Sequence, residues 1–156
     1  MALKLGSNRG QAIIEFAFVL PLLCIMILGI IEFGVLFYDK AVVTNASREG
    51  ARAAIAFQTD TDGNYWSEAD MQAEVEQTVN DYLQGRLISF GPSVSITTTA
   101  TRTNTSPEYD YEAYLTETEG KVDVVVSDTH NYLVLPNFAG WGNTIDISAE
   151  TVMGLE

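Results

Sequence analysis

A single cysteine, Cys24, and a single histidine, His130, leave little for metal or thiol chemistry. One cysteine forms no internal disulfide, and the pair is too small for a Cys/His zinc set. Cys24 also lies inside a long apolar run, where it acts as a small apolar side chain rather than as the partner of a water-accessible histidine. Basic residues are scarce too, with 8 Lys and Arg against 21 Asp and Glu, a formal charge of −13 and a pI near 4.2. Beyond Arg52 there are only 3 basic residues and 17 acidic ones. Nucleic-acid binding needs clustered cations to neutralise phosphates, so that class is excluded. The sequence has no G-x-S-x-G, H-E-x-x-H, phosphate loop or dinucleotide fingerprint, and it carries no internal repeat. No enzyme is expected.

What the chain has is apolar content: 47% of residues and a mean hydropathy of +0.09, high for so acidic a protein. It is concentrated near the start. FAFVLPLLCIMILGII, Phe16 to Ile31, carries no charge and is bracketed by Glu15 and Glu32. Including Glu32 and continuing through FGVLFY gives 23 residues to Tyr38, enough for a bilayer span of about 20. Lys4, Arg9 and the α-amine precede it with no acid in Met1–Gly10. By the positive-inside rule the N-terminus stays cytoplasmic and the acidic remainder is exported. A cleaved secretory signal fits less well, because the apolar region is long and no A-x-A site follows it. Intramembrane carboxylates are costly and point to function by default, although Glu15 and Glu32 both lie near an interface, where snorkelling relieves part of the cost.

The leader MALKLGSNRG ends in Gly10, Gln11 follows, and Glu15 is the fifth residue counted from Gln11. A short basic leader, a glycine, an apolar helix and an acid at the fifth position resemble a type IV prepilin. The string EFGVLFYDKAVVTNASREGARAA, Glu32 to Ala54, with EFG and then REGAR, resembles the TadE-like minor pseudopilins of the tight-adherence (Tad/Flp) pilus system. The likeness is strong over the first third and only in outline beyond it. It implies a prepilin peptidase cutting between Gly10 and Gln11, and a Glu15 carboxylate that pairs with an N-terminal amine during assembly. It implies other pilins or pseudopilins and the assembly platform as partners, a single pass through the inner membrane, and a minor structural role in adhesion or secretion. The physics agrees with the pairing, since a buried carboxylate wants a cation and the first helical turn favours an acid.

The remaining chain is expected to be α+β: a long transmembrane helix that continues into a small domain with a second helix and a three-stranded antiparallel sheet. Three parts follow: a leader 1–10, a membrane helix 11–38, and an exported acidic domain 39–156. The helix should continue to Phe57, carrying a stripe of Val35, Tyr38, Val42, Ala46, Ala53 and Phe57. Gly50 interrupts the stripe and lets another segment approach closely. Pro21 predicts a kink or a gap in the hydrogen-bond ladder. Ser67 with Asp70 opens a second helix near 68–84 with Met71, Val75, Val79 and Tyr82–Leu83 on its apolar side, and Gly85 ends it. Alternation places strands near 93–102, 121–135 and 144–153. QTDTDGNYWS, 58–67, and NTSPEYDYEAYLTETEG, 104–120, read as loops.

The candidate sites divide accordingly. Gly10 and Gln11 mark processing and Glu15 marks assembly. Ala12, Ala17, Gly29 and Gly34 are small enough for close helix packing. Arg48 and Arg52, four apart, form either a solvated face or a patch for an acidic neighbour. Asp60, Asp62 and Asn64 alternate as at the opening of a calcium loop. The sixth and twelfth places are Tyr65 and Met71 rather than Gly and Glu, so an acidic turn is preferred to a weak calcium site. The acids and tyrosines of 108–114 read as a solvated loop or a partner surface. His130, after Asp128, reads as an ordinary packed or surface residue. The alternative to the pseudopilin is an uncleaved, membrane-anchored periplasmic binding module that uses these loops, with or without calcium.

Overall fold

The computed structural model describes residues 8–56, 67–88, 96–103, 121–132 and 144–154. They form α1 (Asn8–Ala56), α2 (Glu68–Leu83), β1 (Thr97–Thr103), β2 (Lys121–Asn131) and β3 (Thr144–Gly154). The α+β architecture is the one the sequence pattern predicts. Asp60, Asp62, Asn64 and the tyrosine-rich stretch 104–120 lie outside the described residues.

α1 is one α-helix of 49 residues, about 73 Å at 1.5 Å per residue. It runs through Pro21, which has no N–H for the carbonyl one turn back, at Ala17. α2 begins as its sequence implies. The Asp70 amide donates to Ser67 Oγ (3.2 Å), and the Ser67 hydroxyl donates to Asp70 Oδ2 (2.6 Å). This cap satisfies one of the orphan amides of the first turn. At the other end Gly85 turns the chain with φ +72°, a left-handed conformation that a side chain would strain. Arg86 then folds back, donating to the Tyr82 carbonyl (2.6 Å) with its guanidinium 4.1 Å over the Tyr82 ring.

The three strands form an antiparallel meander in the order β1-β2-β3. β2 is central, and its burial alternates along its length. Val122, Val124, Val126, Asp128 and His130 face inward with Ile147 and Ala149 of β3. The other face is polar, and there Thr129 Oγ1 donates across to Asp146 (2.9 Å).

The core lies between that sheet face, α2 and the C-terminal part of α1. α2 contributes Met71, Val75, Val79 and Leu83, with Tyr82 packed at the margin. α1 contributes Val42, Val43, Ala46, Ala51 and Ala54. The expected stripe holds at Val42, Ala46 and Ala53, which are buried, while Phe57 lies outside the described residues. Tyr38 departs from it at 46% exposed, and Asp39 takes the inward position at 1% because His130 pairs with it there.

Gly50 is the closest crossing point. A Cβ built there would sit 2.8 Å from Val79 Cγ2, 3.2 Å from Val75 Cγ1 and 3.3 Å from Val124 Cγ1. The missing side chain lets α2 and β2 both reach the α1 backbone, which offsets the helix propensity lost, about 1 kcal/mol relative to alanine. Beside it the buried Ser47 hydroxyl donates to the Val124 carbonyl (2.9 Å), and the Thr151 hydroxyl donates to Ser47 Oγ (2.7 Å).

Each outer strand is engaged at its free edge by a helix side chain. The Gln72 amide of α2 docks on β1, donating to the Thr98 carbonyl (2.8 Å) and accepting from the Ala100 amide (2.6 Å). On β3, the Lys40 ammonium of α1 donates to the Ser148 carbonyl.

Candidate functional site

The first functional region is the N-terminal part of α1. Its large apolar side chains are bare: Ile13, Phe16, Phe18, Leu22, Ile30 and Phe37 are each at least 60% exposed. The helix contains an 18-residue window apolar enough to cross a membrane, and none of that window is buried. So much uncovered apolar surface is costly in water, at about 25 cal/mol per Å², and calls for lipid or other helices around it. Cys24 is exposed on this shaft.

Gly10 and Gln11 both lie inside α1 and are exposed, and no atom lies within 4 Å of a Cβ built at Gly10. The Gln11 side-chain amide donates to Glu15 Oε1 (3.1 Å), so the Glu15 carboxylate faces Gln11, one turn away. Ala12, Ala17 and Gly34 are exposed, while Gly29 is partly covered. Gly34 has open space where its side chain would be. Glu32, the other carboxylate of the apolar run, is buried at 4% exposure rather than facing outward.

Farther along, Gly34, Ala41, Arg48 and Arg52 follow one another at spacings of seven, seven and four, and all four are exposed. At 3.6 residues per turn they share a face of α1 opposite Gly50. The helix therefore shows the domain one side and presents the two arginines on the other. Among the described residues neither arginine has an ion-pair partner.

The second region is a buried charge cluster that sequence reasoning did not assemble. Asp39 of α1 and His130 of β2, 91 positions apart, meet with Oδ2 and Nδ1 at 2.9 Å, exposed by only 1% and 2%. The second Asp39 oxygen accepts the Ile88 backbone amide (3.1 Å), tying in the segment after α2. Asp128, two residues before His130 on the same face of β2, is also buried. Burial first, and then the charge of Asp39, raise the Asp128 carboxyl above the usual carboxylate range. His130 and a backbone hydrogen bond at Thr129 pull the other way. Among the described residues, Asp128 Oδ1 and His130 Nε2 are buried with no hydrogen-bond partner. His130 is thus neither surface residue nor simple packing; it pins β2 to α1. Period-two alternation from Val122 to His130 was the signal that would have turned it inward, but its partner on α1 has no local signature. Among the described residues no group of three or more His, Cys, Asp or Glu side chains is placed to hold a metal ion.

These features define a helix-anchored α+β protein. One apolar helix fits a single-pass membrane anchor, and that same helix is the spine of a small acidic head. Residues 10–52 match the family of TadE-like proteins, and over that segment the chain is similar to them. The matched segment runs from Gly10 to Arg52, covering the shaft and the first turns of the buried stripe. No curated protein and no solved structure matches the chain.

Proposed function

We propose that this chain is a minor pseudopilin that assembles into, or primes, a Tad-type pilus used in adhesion or secretion. The observation that carries the reading is the pairing of a bare apolar shaft with a carboxylate at Glu15, one turn from a Gly10–Gln11 junction. In this reading a prepilin peptidase on the cytoplasmic face of the inner membrane cuts between Gly10 and Gln11. The bond lies within a helix, so the first turn must unwind to present it, and glycine at that position weakens the turn. Cleavage removes the basic leader and creates an amine at Gln11, a cation at the head of an apolar helix. Glu15 then has a charge partner, in its own chain or in a neighbour, and leaving either group unpaired in an apolar packing costs about 3–5 kcal/mol. Ala12, Ala17, Gly29 and Gly34 give neighbouring helices close approach, and Arg48 and Arg52 face outward to meet an acidic neighbour.

The test is intact mass and N-terminal sequencing of the membrane-extracted protein, with and without the host's prepilin peptidase. A peptidase-dependent N-terminus at Gln11 supports the pseudopilin. A chain still beginning at Met1 overturns it in favour of an anchored, uncleaved binding module, for which calcium binding at Asp60, Asp62 and Asn64 would then be measured. In the cleaved protein, Glu15→Ala leaves processing intact and lowers pilus incorporation at least tenfold, scored by the amount of subunit in sheared pili. Normal incorporation of that variant removes the assembly role.

A further inference from the structure

We propose that Asp39, Asp128 and His130 form a proton-operated latch that clamps the end of β2 to α1 where the helix leaves its bare shaft. The proposal does not depend on the pseudopilin reading. With the imidazole neutral and both carboxylates ionised, the cluster holds two negative charges in a space that excludes water, and such a charge is costly. One proton from solvent halves it. Asp128 Oδ1, buried without a hydrogen-bond partner among the described residues, is the seat that burial favours for that proton. With the proton bound, the Asp39–His130 contact and the Ile88 amide hold α1, β2 and the segment after α2 together. With it lost, Asp39 and Asp128 repel across the joint, and the three segments loosen together.

The described groups around the cluster are few. On α1, Glu32 is the other buried acid, two turns before Asp39 on the same side, and Lys40 is exposed with its ammonium on the Ser148 carbonyl. β3 brings Ile145 and Ile147 opposite His130 and Asp128, while its Asp146 lies on the outer face bound to Thr129. α2 turns only apolar residues inward, and Arg86 after it stacks on Tyr82. Tyr132 stands edge-on to the His130 ring at 6.1 Å. Among the described residues, no arginine or lysine side chain contacts the cluster, so a proton is the counter-charge within reach.

The sign follows from the raised carboxyl. The Asp128 contribution to stability is full below the ordinary carboxylate value and is lost as pH rises through its higher folded value. Deprotonation loosens the joint, and mild acid closes it.

The experiment uses the full chain in detergent micelles. Thermal unfolding of the wild type and of Asp128→Asn is followed from pH 5 to pH 9. At pH 9 the variant, which cannot ionise, melts a few degrees above the wild type. The difference closes towards pH 5. Comparing the two chains removes the general effect of acid on so acidic a protein. In the wild type, carboxyl NMR of Asp128 shows a midpoint above the usual range, and hydrogen-exchange protection of the Ile88 amide falls with that same midpoint after correction for intrinsic exchange. A melting difference that does not change with pH overturns the latch. So does an Asp128 that titrates at its ordinary value, or an Ile88 protection that ignores it. If Asp128→Asn fails to fold, the wild-type titration decides alone.

Discussion

The two halves of α1 share one backbone but follow opposite packing rules. From residue 13 to residue 27 most of its side chains are large, apolar and bare: phenylalanine, leucine, isoleucine and methionine. After residue 38 the inward positions are small, with Ala46, Ser47, Gly50, Ala51 and Ala54 laid against α2 and the sheet. Small residues mark where the chain packs on itself, because two elements must approach the helix backbone at once. Large bare ones mark where the partner is external and deformable, lipid or other helices. Side-chain size along a single helix thus separates the anchor from the spine, and charge sits where the two meet, at Asp39.

Three substitutions sharpen the contrast. The largest effect on the head is expected from Asp39→Ala, which strands a buried imidazole and the Ile88 amide together. It should lower the unfolding free energy by about 3–5 kcal/mol, seen as loss of the thermal transition in micelles while membrane insertion persists. Gly50→Val comes next. Its Cβ would meet Val79 Cγ2 at 2.8 Å and has no space to turn into. Overpacking of this kind costs about 1–3 kcal/mol, read as a lower denaturation midpoint of the head. Phe18→Ala is the counter-test. Phe18 is 80% exposed and lies far from the head, so head unfolding should stay within about 0.5 kcal/mol of wild type. Detergent partitioning and helix association should weaken instead. A large head effect from Phe18→Ala would break the division between anchor and spine.

Much of this design is readable from the residues. The uncharged run of Phe16–Ile31 gives α1, the Ser67–Asp70 cap and Gly85 bracket α2, and alternation gives three strands. The value of Gly50 as a crossing point is also legible, because a glycine within a helical stripe has few other uses. The stripe is legible at Val42, Ala46 and Ala53 but not at its start. An aspartate turns inward only where a partner waits for it, so the exchange of Tyr38 for Asp39 leaves no local signal. The Asp39–His130 joint is harder still, since no spacing links an acid on a helix to a histidine 91 residues later. The same holds for Gln72 and Lys40, ordinary surface residues by sequence that the fold sets on the strand edges. Long-range polar pairing is decided by tertiary geometry, and periodicity describes only one element at a time.

The engagement of both strand edges has a consequence for how such a protein can be stored. An open β edge is a template for any passing chain. Here Gln72 occupies the middle of one edge and Lys40 the middle of the other. Another chain adding to either edge must first displace a helix side chain, which works against sheet-to-sheet zippering of crowded copies. Among the described residues, the apolar surface left uncovered is that of the N-terminal part of α1.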